Sequence, residues 1–95
     1  MTIDKNFENL NLGAYVSASK YRSKVILYLV KNDIGTPTQI GLQTNIRVNH
    51  ISKVLSELKG KGLIVCINED ARKGRLYTLT DLGKKVADTM RSVGL

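Results

Sequence analysis

Ninety-five residues with 42% apolar side chains make one domain and leave no material for a second core. A formal charge of +7 and a pI near 9.8 favour a polyanionic partner. One cysteine excludes an internal disulfide framework, and the longest apolar run, "VILYLV", is far too short to span a bilayer, so no membrane role is expected.

The opening "MTIDKNFENLNLGA" carries Asp4 and Glu8 and no apolar h-region, so it does not read as a signal peptide, and a cytoplasmic protein is expected. Residues 1–16 read as an arm of uncertain structure, in which Ile3, Phe7 and Leu10 are spaced for a short amphipathic turn. Residues 17–95 read as a single domain. "SASKYRSKVILYLVKN" predicts a helix from about Ser17 to Asn32, closed by "NDIG" with Gly35 as breaker. Its second half, Val25–Val30, is apolar nearly all round, which predicts burial on more than one face. Either a second subunit or another part of the same chain covers the extra face. Tyr15, Tyr21 and Tyr28 fall near one side of this region and read as packing residues.

"TPTQIGLQT" predicts a short helix with a well-specified start. Thr36 is placed as N-cap, Pro37 at the first helical position, and Gln39 as the reciprocal partner of a capping box. Gly41 inside it costs ~1 kcal/mol against Ala, which implies a backbone passing close by. Asn45 then suits a left-handed turn.

The next helix, about 47–60, puts Ile51, Val54, Leu55 and Leu58 on one face. Arg47, Asn49, His50 and Lys53 lie off that face with no acid among them. Gly62 is the expected C-terminal breaker. "LIVCINEDARKGRLYTLT" predicts two strands around a polar loop. Leu63, Val65 and Ile67 alternate on the expected inner face, Tyr77 and Leu79 answer them, and Gly74 supplies a turn. Cys66 is expected to be a small, buried or half-buried residue. "TDLGKKVADTMRSVGL" predicts a last helix capped by Thr80, with Leu82, Val86, Met90 and Val93 as its apolar stripe.

The charge is concentrated. Residues 36–80 hold Arg47, Lys53, Lys59, Lys61, Arg72, Lys73 and Arg75 against Glu57, Glu69 and Asp70. An enzyme fails on inventory: the sequence has no acidic pair with a cleft, no Ser–His–acid motif, no glycine-rich phosphate loop and no metal-ligand cluster. His50, the only histidine, cannot build a metal site with Cys66 alone. No catalytic residue, cofactor or metal is expected.

Helix, short helix, tight turn, helix, hairpin, helix is the order of a winged helix-turn-helix. "TPTQIGLQTNIRVNHISKVLSELKGKGLI" followed by "RKGRLYTLTDLGKK" resembles the winged-helix transcriptional regulators of archaea and bacteria, related to the MarR-like and ArsR-like families. The resemblance implies an α+β, mostly α fold with a three-helix core, a two-stranded wing and a C-terminal helix. It also implies a double-stranded DNA partner, with helix 47–60 in the major groove.

On that reading Arg47, Asn49, His50 and Lys53 face base edges, Ser52 and Ser56 face phosphates or bases, and Thr36 and Thr38 face phosphates. Arg72, Lys73 and Arg75, in a wing loop at 68–75, lie over the backbone or minor groove. A homodimer through Val25–Val30 and the terminal helix is expected. The chain is short for the long terminal helices that build an effector pocket in MarR-like proteins, so a small-molecule effector is not expected. Two other readings compete: a winged helix serving as a protein-interaction module, and a non-specific architectural nucleic-acid-binding protein.

Overall fold

The computed structural model describes residues 5–94; residues 1–4 and 95, and with them Ile3 of the expected arm, lie outside the described residues. From Lys5 the expected arm is helical, as α1 (Lys5–Ser17). Its inward face is Asn9, Leu12, Gly13 and Val16, at helical spacing, while Phe7 and Leu10 face outward. The helix lies against α2 (Lys20–Asn32) and α5 (Asp81–Val93).

The second helix begins later than Ser17. The Ser17 hydroxyl donates back to the Ala14 carbonyl inside α1, and Ser19 is the N-cap of α2, its side chain accepting from the Arg22 N–H at 3.2 Å. Val25, Ile26 and Leu29 are buried and Tyr28 and Val30 half-buried, because α1, α3, α4 and α5 all pack around α2; Leu27 stays open. Much of the extra apolar face is therefore covered within the chain. Tyr15 belongs to α1, where its ring stacks under the Arg22 guanidinium at 3.9 Å.

Asp33, at φ 64°, ends α2 and turns the chain into β1 (Ile34–Gly35), a strand that sequence spacing does not reveal. The helix α3 (Pro37–Thr44) then starts as predicted. Thr36 Oγ1 accepts from the Gln39 N–H at 3.1 Å, and Gln39 Oε1 accepts from the Thr36 N–H at 3.0 Å. Asn45 adopts the left-handed conformation at φ 59°. A side chain at Gly41 would meet the Ile46 carbonyl at 3.0 Å, so the backbone that passes close is the turn's own.

The helix α4 (Val48–Gly60) buries Ile51, Val54, Leu55 and Leu58. It stops at Lys61 and Gly62, the latter at φ 74°. The strands β2 (Ile64–Cys66) and β3 (Tyr77–Leu79) pair antiparallel, with Ile64 opposite Leu79 and Cys66 opposite Tyr77. This corrects the expected strand face. Ile64 and Cys66 point inward with Tyr77 and Leu79, whereas Val65 and Ile67 point out. Both parities of "LIVCI" are apolar, so alternation alone does not choose between them; Leu63 is buried ahead of the strand, where its carbonyl accepts from Thr80.

The wing is also more than two-stranded, since β1 joins the outer side of β3 to give the order β1-β3-β2. Ile34 opposes Thr78, whose hydroxyl donates to the Asp33 carbonyl at 2.6 Å. Thr80 caps α5, its hydroxyl accepting from the Gly83 N–H. Gly83 lies directly against the Leu63 carbonyl, leaving no room for a Cβ. Leu82 and Met90 are half-buried and Val86 fully buried, whereas Val93, the last residue of the expected stripe, is exposed.

Candidate nucleic-acid interface

Helical spacing fixes what α4 offers to its surroundings. With Ile51, Val54, Leu55 and Leu58 inward, the side directly opposite carries Asn49, Lys53 and Ser56, with Ser52 beside them, and all four are exposed. Arg47 is the N-cap residue and supplies no side-chain acceptor, nor is there an acid in the first turn. The leading N–H groups of α4 thus have no capping side chain from the protein.

His50 is placed differently. It lies on the flank of α4 that faces α2, its ring 5.4 Å from that of Tyr21 at an interplanar angle of 50°. Glu57 continues that flank two turns later, 3.7 Å from the Arg22 guanidinium. The Arg22 Nε also donates to the Tyr15 carbonyl at 2.9 Å, so this one cation ties α1, α2 and α4 together.

The wing loop is organised by Asn68, which sequence reasoning passed over. Its Oδ1 accepts from the Leu76 N–H at 2.7 Å, its Nδ2 donates to the Gly74 carbonyl at 3.1 Å, and its own carbonyl accepts from Ala71. An Asn able to bond its own loop is the local signal that was available. Gly74 takes φ 67° at the tip. Arg75 Nε donates to the Ala71 carbonyl at 2.9 Å, which fixes the stem of that side chain; Arg72 and Lys73 are exposed.

Of the wing's two acids, Glu69 is paired with Lys59 of α4. Their hydrogen bond holds the Glu69 carboxyl below its ordinary range and the Lys59 ammonium above its own.

Two shallow depressions join these parts. One, of about 350 Å³, lies between Thr36, Pro37 and Thr38 at the start of α3 and Arg72, Lys73, Gly74 and Arg75 of the wing. The other, of about 260 Å³, runs from Pro37 and Thr38 past Gly41 and Leu42 to Arg47 and Val48. Pro37 and Thr38 border both, and no acid lines either. The start of α3, the wing tip and the start of α4 therefore form one continuous acid-free surface, with Asn49, Ser52, Lys53 and Ser56 extending along α4. His50 stands apart from it. Among the described residues no three His, Cys, Asp or Glu side chains gather as metal ligands, and no helix is long and apolar enough to cross a membrane.

The fold is shared with solved structures. TubR bound to 24 bp of tubC from Bacillus thuringiensis serovar israelensis pBtoxis superposes with a TM-score of 0.78 at 11% identity, covering 98% of each chain. A mutant of the type III plasmid segregation protein TubR gives 0.77 at 11% identity, over 99% of this chain and 96% of that one. A MarR mutant from E. coli complexed with operator DNA gives 0.70 at 19% identity, over 95% of this chain and 69% of that one. No curated protein sequence matches the chain. The sequence pattern of the winged helix-turn-helix family, however, matches residues 23–94. Covering most of the sequence from α2 to the end of α5, that match makes the chain a member of the winged helix-turn-helix family.

Proposed function

We propose that the chain is a cytoplasmic, nucleoid-associated DNA-binding transcriptional regulator that recognises particular double-stranded sequences. The carrying observation is the pair of adjoining depressions, lined by no acid, that join the starts of α3 and α4 to the wing tip in a chain of net charge +7. The DNA-bound TubR and MarR relatives of the same fold support it. In this reading α4 enters the major groove. Arg47 and Lys53 donate to guanine O6 and N7, and Asn49 pairs with adenine N6 and N7, whereas the expected base-reading role of His50 is not kept, because its ring lies on the flank against Tyr21. Thr36, Thr38, Ser52 and Ser56, with Arg72, Lys73 and Arg75, hold phosphates and set the salt dependence.

A homodimer would place two such helices on half-sites about one helical turn (~34 Å) apart. A groove of about 240 Å³ between α2 and α5, lined by Ile26, Leu27, Val30, Ala87 and Met90 with Ser23 and Arg91, supports that assembly, as do the outward Phe7, Leu10 and Val93. The test is a selection from random-sequence duplexes at low and near-physiological salt, with the retained DNA sequenced. A two-fold-symmetric site is expected. Retention without enrichment would make the protein architectural, and no retention would make the surface a protein-binding one.

A further inference from the structure

Leu42 and Val48 are exposed at 78% and 73%, more than any other large apolar side chain among the described residues. Single exposed aliphatic residues need no explanation, but these two line the same depression, together with Gly41 and Arg47. Nothing among the described residues covers them. The surface around them decides what kind of partner fits. Pro37 and Thr38 make this hollow continuous with the cationic cleft at the wing, and no acid borders it. An apolar spot inside a cationic, acid-free surface suits a polyanion that also presents a methyl group, and in a major groove that group is the 5-methyl of thymine.

Position narrows it further. Val48 is the first residue of α4 and lines the depression together with Arg47, so a base edge within reach of Arg47 puts the neighbouring step beside Val48. The Val side chain, rigid about χ1, offers two methyl groups at a fixed place.

We propose that Val48, with Leu42 as the second wall, receives the 5-methyl group of one thymine in each bound half-site. The chain thereby prefers thymine to cytosine at that step through an apolar contact rather than a hydrogen bond. This inference rests on α4 being the groove helix and adds a specificity-determining residue to that reading.

The experiment takes the site enriched from the random pool and replaces its thymines one at a time with deoxyuridine, which lacks only the methyl group. The wild-type chain is expected to bind about fourfold more weakly at one position per half-site, the size set by burying one methyl. Val48→Ala is expected to bind the thymine and deoxyuridine duplexes alike, and Val48→Ile to keep the difference. Leu42→Ala is expected to reduce it. Because both side chains are exposed, thermal melting of these variants should match the wild type. An enriched site indifferent to every deoxyuridine, or discrimination that survives in Val48→Ala, would overturn this inference alone. Failure to enrich any site would overturn it together with the sequence-specific reading beneath it.

Discussion

Asn49 and Arg72 illustrate two uses of a polar side chain on one surface. Asn49 projects from the first turn of α4, on the side opposite the buried Ile51 and Leu55, and in the proposed reading its amide pairs with one base edge and discriminates against others. Arg72 sits on a loop whose shape is fixed by Asn68, and in the proposed reading its cation meets the phosphate backbone whatever the sequence. Asn49→Ala is expected to weaken binding to the selected site by roughly 5- to 150-fold while leaving random DNA nearly unchanged. Arg72→Ala is expected to weaken both alike and to lower the slope of log K against log salt by about one. Titrations of both variants against selected and random duplexes at several salt concentrations check this. Identical behaviour of the two variants would remove the division of labour.

Helices and strands show a contrast between local and non-local determinants. Gly83 is where α5 meets the chain entering β2, and a Cβ there would be driven into the Leu63 carbonyl, a backbone atom that cannot swing aside. Gly83→Ala is therefore expected to cost about 2–3 kcal/mol by overpacking, lowering the melting temperature by on the order of 10–20 °C. Gly60→Ala, with open space around the added methyl, is expected to be neutral or to stabilise by up to ~1 kcal/mol. A thermal melt of each variant separates close approach from simple helix propensity.

The same contrast governs what the sequence made legible. The capping box of Thr36 and Gln39, the left-handed Asn45 and the caps at Gly62 and Thr80 depend on residues a few positions apart, and all were readable. The two-residue β1 was not, because it exists only by pairing with Thr78 and Tyr77 more than forty residues later. The inward parity of β2 is likewise set by its partner strand and not by its own apolar pattern. For α1, the apolar residues Phe7 and Leu10 drew the eye, while the face that packs includes Asn9 and Gly13. At the candidate interface, charge and helical phase located Arg47, Asn49 and Lys53. That His50 pairs with Tyr21 is a contact between two helices, with no signature in either alone.

For the whole molecule, oligomeric state would govern how much DNA the proposed interface reads at once. Leu27, 54% exposed beside the buried Ile26 and Leu29, stands at the groove between α2 and α5. If that groove holds a second copy, sedimentation equilibrium at micromolar concentration should give a dimer, and Leu27→Glu should give a monomer of unchanged helicity. A wild-type monomer under those conditions would move the interface elsewhere or dispense with it.

The three-stranded sheet has its own consequence. Because β1 precedes α3 in the chain and pairs with β3 of the wing, the wing is stitched to the entry of the helix-turn-helix rather than hanging from a hairpin. The parts proposed to meet DNA are thus held in mutual register before any duplex arrives, and association would have little ordering entropy to overcome. In calorimetry, the heat-capacity change on binding should then be accounted for by the apolar area removed from water, with no surplus from coupled folding.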